Sequence, residues 1–289
     1  MMEGAITFLL QKNCQRAQFL RNNFVFKIIP MLNADGVVNG NQRSCLSGLD
    51  FNRQWQNPPE QAPEIMATKE MIEQTLQNRI IYLFADFHGH SRAKNIFMYG
   101  CNNNHSDQHI LKERILPLIL HKSCDAFSFD RCSFEVQSDK DGCARVALRQ
   151  AYDILNSYTL ECSYAGTMRG KYKGNHFSIQ HLKRLGAEFA RGLFMMTAEK
   201  KEVESAIKEL REMYPSLNHL LNEDEGMYRE MAAAEKFRLQ ELIDEGKIKE
   251  GKHEIIRTKG QKMSNTRTIY EGERDMLRGG FFQRLFGCY

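Results

Sequence analysis

Apolar residues recur in two periods along this chain, and the alternation between them outlines an α/β fold. Residues 2–20 carry helical spacing. Residues 24–29, Phe-Val-Phe-Lys-Ile-Ile, form a short apolar run stopped by Pro30 and read as a buried strand. Asn, Gly and Ser crowd residues 33–57, which marks loop. Helical spacing returns over 60–76 through Ile65, Met66, Met71 and Ile72. Residues 79–87 predict a strand, with a second apolar run at 96–99. Further on, 107–121 predicts a helix interrupted near Pro117, 126–136 a strand, 144–155 a helix, 157–163 a strand and 177–196 a helix. Strands alternating with helices in this way predict an α/β domain over 1–198: a mixed, mostly parallel sheet flanked by helices.

The pattern changes near Glu199. From there to about Lys262 the chain is rich in Glu, Lys and Arg, and Pro215 is its only proline. Leu239, Leu242 and Ile243 give a thin apolar stripe, so 199–289 reads as a charged helical extension, solvated or loosely docked rather than catalytic. Phe281, Phe282, Leu285 and Phe286 cluster near the end, as a knob docking onto the domain or as a partner-binding motif.

Composition narrows the class. The 289 residues suffice for one large domain plus that extension, with 42% hydrophobic and 26% charged residues. No apolar run reaches membrane-spanning length, since Gln11, Lys12 and Asn13 end the N-terminal one, and no secretory signal is visible. Eight scattered cysteines without a CxxC pair fit free thiols in a reducing compartment, hence the cytoplasm. A net charge of +4 suits an acidic partner, and no nucleic-acid motif is present.

Candidate chemistry concentrates in three places. The apolar run Ile80–Leu83 leads into Asp86-Phe87-His88-Gly89-His90-Ser91, and strand ends are where open α/β sheets place ligands. Two histidines one residue apart beside an aspartate suggest metal ligation; a pair of exposed loop histidines is the alternative. Glu161 lies inside the strand-like run 158–163, where a carboxylate must be paired, edge-exposed or functional. Asn52 and Arg53 follow Asp50 after a Gly-containing loop. An amide beside a guanidinium holds a carboxylate well, although a plain surface arginine remains open.

Five segments in order resemble the cytosolic carboxypeptidases, the deglutamylating branch of the zinc metallocarboxypeptidases. They are FVFKIIPMLNADGV (24–37), Gly40-Asn41-Gln42-Arg43, SGLDFNRQW (47–55), His88-Gly89-His90-Ser91 and YTLECSYAG (158–166). Ala34 stands where the family usually has proline, and Phe51 where it has leucine. The resemblance covers roughly residues 1–196. It implies a zinc-dependent peptidase trimming C-terminal glutamates from acidic tails such as tubulin's, in the cytoplasm and at microtubules or cilia. It makes His88 a zinc ligand, with His90 a supporting or pocket residue. Glu161 becomes the general base. Arg43 polarises the scissile carbonyl and stabilises the oxyanion, and Asn52 with Arg53 binds the terminal carboxylate. A cation for the glutamate side chain is open among Lys140, Arg145 and Arg149, each equally readable as a solvated helix face. Tyr158 is near Glu161 in sequence without an assigned role.

The family's zinc site also uses a His-x-x-Glu pair. None of the nine histidines has glutamate three positions on: His109 reaches Glu113 at four, and His253 directly precedes Glu254. Met1-Met2-Glu3-Gly4 resembles the start of the helix after that pair. The expectation is one Zn2+ with two of its three protein ligands outside this sequence, as in a fragment or misjudged start of a longer enzyme. Two other readings stand beside it: a catalytically inactive module that holds acidic tails through Arg43, Asn52 and Arg53, and an unrelated α/β protein with an incidental HGHS loop.

Overall fold

The computed structural model describes residues 1–103 and 109–217. Its centre is a three-stranded mixed sheet of β1 (Leu83–His90), β2 (Ile96–Tyr99) and β3 (Asn156–Ser163), in the order β1-β3-β2. β1 runs parallel to β3, with His88 beside Glu161, and β2 runs antiparallel to β3, with Phe97 beside Glu161. Eight helices surround it: α1 (Met2–Leu9), α2 (Gln15–Asn23), α3 (Ala34–Val38), α4 (Pro63–Leu76), α5 (Ile115–Ser123), α6 (Ala144–Tyr152), α7 (Ile179–Ala198) and α8 (Lys200–Met213). They are the α-helices among the described residues.

Side chains alternate across a strand, so each strand feeds two faces. Leu83, Ala85 and Phe87 of β1, Ile96 and Met98 of β2, and Tyr158, Leu160 and Cys162 of β3 join the main core with α5, α7 and Phe8 of α1. The opposite face begins apolar at Phe84, which joins a second core of Phe51, Trp55, Ile65, Ile72, Ala147 and Leu148 under α4 and α6. Further along that face the strands turn polar: Asp86, His88 and His90 on β1, Thr159, Glu161 and Ser163 on β3.

Several expectations need correction. The helix expected over 2–20 is two helices, because the exposed polar stretch Gln11–Asn13 lets the chain turn; Arg21 then caps the end of α1 at the carbonyls of Leu9 and Gln11. Residues 24–29 form no strand. Phe24 stacks on Tyr82 at 5.6 Å and Phe26 packs on the core, but Val25, Ile28 and Ile29 are exposed. An apolar run buries what it can reach, and strand formation needs a paired backbone as well. Residues 126–136 follow the free edge of β2 through bridges at Phe127 and Ser133. A 3-10 turn, Phe129–Arg131, interrupts them as Phe129 dips into the core. The strand expected over 79–87 is shifted to Leu83–His90, so both histidines lie within it rather than in a loop.

Pro117 falls in the first turn of α5, where a missing N–H costs nothing, so the helix starts there instead of breaking. Of the charged extension, α8 is described, and it packs: Ala206 and Leu210 are fully buried in the main core. Tyr214 and Leu217 beyond it also pack on that core, and residues 218–289, including Leu239 and the aromatic cluster at 281–286, lie outside the described residues.

Candidate active site

Three residues on the polar sheet face form a short chain of charge. Asp86 and His88 are two apart on β1 and therefore share a face, and Asp86 Oδ2 lies 2.7 Å from His88 Nε2. The other ring nitrogen, Nδ1, lies 3.9 Å from Glu161 Oε1 across the parallel pair. Burial disfavours the imidazolium, but the Asp86 hydrogen bond and the charges of Asp86 and Glu161 outweigh it, holding His88 above the usual histidine range. Glu161 is 8% exposed, and burial raises its carboxyl above the ordinary range against the pull of His88, His90 and Arg145. Its Oε2 is buried without a hydrogen-bond partner among the described residues, as is Thr159 Oγ1 on the same face. Two unsatisfied buried oxygens, two residues apart, mark a place built to receive something.

His90 shares that face but is occupied locally. Its Nδ1 accepts the N–H groups of Arg92 and Ala93 at 3.2 and 2.9 Å, and its ring meets Phe97. Tyr158 points the other way: it is fully buried in the main core, with its hydroxyl donating to the Glu113 carbonyl at 2.9 Å. Tyr99, beside Thr159 in the register, does face the site, and burial followed by the Glu161 charge raises its phenol.

Arg43 and the Asn52–Arg53 turn come from the loop between α3 and α4. Arg43 Nε pairs with Asp50 Oδ2 at 2.6 Å, and its charge is felt at His88. Asp50 caps the turn, with Oδ1 accepting the Asn52 N–H at 3.0 Å. Phe51 and Trp55, on either side, are buried in the second core and hold the turn against α6. Of the three cations weighed for a side-chain pocket, Lys140 pairs with Asp139 and Arg149 with Asp153. Arg145 is 6% exposed, lies 5.4 Å over the Tyr99 ring and donates to the Gly100 carbonyl. The structure thus brings His88 beside Glu161, with Arg43 acting electrostatically on His88 and Arg145 on Glu161. Asn52 is joined to this group through the backbone of Ala144, the neighbour of Arg145.

Sequence reasoning missed Thr159, Tyr99 and Asp50. The alternation in 156–163 and 96–99 was a usable signal for the first two, since it puts both on the face of Glu161.

The family described as zinc carboxypeptidase matches residues 1–186. The chain belongs to that family. It is 47% identical over 187 residues to cytosolic carboxypeptidase 2 of Mus musculus, covering 64% of this chain and 21% of the relative. To cytosolic carboxypeptidase 1 of Gallus gallus it is 41% identical over 209 residues, covering 68% and 17%. The chain thus spans about a fifth of the length of these relatives. Among solved structures, a metallo-carboxypeptidase from Pseudomonas aeruginosa superposes with a TM-score of 0.58 at 24% identity, over 70% of this chain and 53% of that one, a likeness of fold. Membership implies zinc. A catalytic zinc needs three protein ligands, and among the described residues no group of three or more His, Cys, Asp or Glu side chains is arranged to hold a metal. The described residues therefore do not by themselves form that centre. The seven described cysteines are all free, and no described helix is long and apolar enough to cross a membrane.

Proposed function

We propose that this chain carries the substrate-handling part of a metallocarboxypeptidase site that removes C-terminal glutamates from acidic protein tails, of the kind tubulin bears, in the cytoplasm and at microtubules or cilia. The observation that carries this is Glu161: a buried carboxylate with one unpaired oxygen, in register with His88 on the polar face of the sheet. In this reading Glu161 takes the proton of the water that attacks the scissile carbonyl and returns it to the leaving nitrogen. Its raised pKa suits both halves of that task. Arg43 stands beside the carbonyl oxygen as negative charge develops there. Asn52 and Arg53 hold the terminal carboxylate. Arg145, with Tyr99 and Thr159, faces the glutamate side chain.

Zinc binding is assigned to His88 together with a His-x-x-Glu pair, which this sequence does not contain. The 289-residue chain is therefore expected to bind zinc weakly and to show no turnover on glutamate-ended peptides. Fused in frame to an N-terminal segment that supplies a His-x-x-Glu pair, it is expected to gain both. Glu161→Gln in that fusion should keep the metal and lose turnover by roughly two to four orders of magnitude. Stoichiometric zinc with turnover in the unfused chain, or near-parental activity of the fused Glu161→Gln variant, contradicts this assignment. The absence of a three-ligand group among the described residues favours a second reading for the chain by itself: an acidic-tail binding module without turnover.

A further inference from the structure

The Asn52–Arg53 turn is built against the first turn of α6, and the contacts decide which of its atoms remain to be offered. Asn52 Oδ1 accepts the Ala144 N–H at 2.9 Å. The partner is a donor, which settles the orientation of the amide and turns Nδ2 away from the helix. Arg53 Nη1 donates to the Asn52 carbonyl at 2.7 Å and to Cys143 Sγ at 3.1 Å, so one nitrogen anchors the guanidinium. Gly142 sits so close to the Arg53 carbonyl that a Cβ there would overlap it, and the Gly142 carbonyl accepts the Trp55 N–H at 3.1 Å. Three consecutive residues at the start of α6 thus touch the turn from Asn52 to Trp55. The next residue, Arg145, reaches the other side of the site at Tyr99 and Gly100.

We propose that Gly142, Cys143 and Ala144 are positioning residues for the carboxylate grip: they aim Asn52 Nδ2 and the unanchored nitrogens of Arg53 at the end of a peptide. This rests on the reading of Asn52 and Arg53 given above. Cys143 is 2% exposed and acts as an acceptor, with its sulfur as a hook for the guanidinium. A larger residue at position 142 would push the Arg53 backbone out of line.

The test measures binding of a glutamate-ended peptide, as free acid and as C-terminal amide, to the full chain. The parent is expected to prefer the free acid by roughly ten-fold. Ala144→Pro removes the donor to Asn52 but suits the helix, since Ala144 is the first helical position and Cys143 already has the extended φ of −75° and ψ of 147° found before proline. Cys143→Val removes the sulfur acceptor at similar volume. Each should shrink the preference by about three- to five-fold, as for one lost hydrogen bond. Cys143→Ser, which keeps an acceptor, should preserve it. Unfolding midpoints are recorded for all, and if Ala144→Pro does not fold the Val and Ser pair decides. An unchanged preference in Cys143→Val, equal weakening of both peptides, or a serine variant no better than valine overturns the positioning role. A parent that does not distinguish acid from amide overturns the reading of Asn52 and Arg53 themselves.

Discussion

Glu113 has no exposed surface, and Arg114 Nε lies 3.1 Å from its Oε1 without the alignment of a hydrogen bond. Burial, only partly opposed by Arg114 and Asn103, pushes its carboxyl up to about 7. The folded protein therefore holds this proton more tightly than the unfolded chain, whose value is near 4.5. The stability contributed is fully present below the unfolded value and is lost as pH rises through 7, a fall of about 3 kcal/mol from this group. Glu113→Gln is expected to flatten that fall, so the difference in stability between variant and parent should change between pH 5 and 8. Urea unfolding at both pH values checks it, and a pH-independent difference would mean that Glu113 does not titrate in this range. Nothing in the local sequence singles out Glu113. It is followed by Arg114 in a charged stretch, and its burial comes from Tyr158 and the strand packed over it. Glu161 was legible because its neighbours in sequence are themselves the strand that buries it.

Among the elements, α1 and α7 meet through glycines. A Cβ on Gly4 would overlap the Lys183 carbonyl, and one on Gly186 the Met1 carbonyl. Within an isolated helix, alanine would be preferred to glycine by about 1 kcal/mol. Here the clash is with backbone, which cannot rotate away, so α1 would have to lift off Leu185 and Phe189. Gly186→Ala is expected to destabilise the fold by about 1–3 kcal/mol, lowering the thermal midpoint; a midpoint equal to or above the parent's would show that the helices separate freely. The sequence showed the helices but not this contact, because glycine in a helix pattern reads only as a weak helix former. Residues 24–29 teach the converse: their composition is strand-like, but no described strand bonds to them, and composition cannot report a missing neighbour.

At the scale of the whole molecule, the proposed grip on an acidic chain end depends on parts distant in sequence. Arg53→Ala is expected to weaken binding of a glutamate-ended peptide by roughly ten-fold or more, and Arg53→Lys to recover little, since an ammonium lacks the planar fork. Binding titrations check both, and a lysine variant equal to the parent would reduce the contact to simple charge. Sequence alone determined the family and the mixed α/β class, and it nominated His88, Glu161, Arg43, Asn52 and Arg53 as candidates, because each sits in a short motif whose meaning is local. Periodicity also placed α4, α6, α7 and β3 within a few residues, since the side chains that set the period are the ones those elements bury. The tertiary structure decided which carboxylate fixes His88, which of three cations turns inward, that Tyr158 belongs to the core, and that the start of α6 packs against the Asn52–Arg53 turn. Those outcomes depend on the register between strands and on the docking of a helix some 90 residues away in sequence. Both are set by packing across the sheet, which no local pattern encodes.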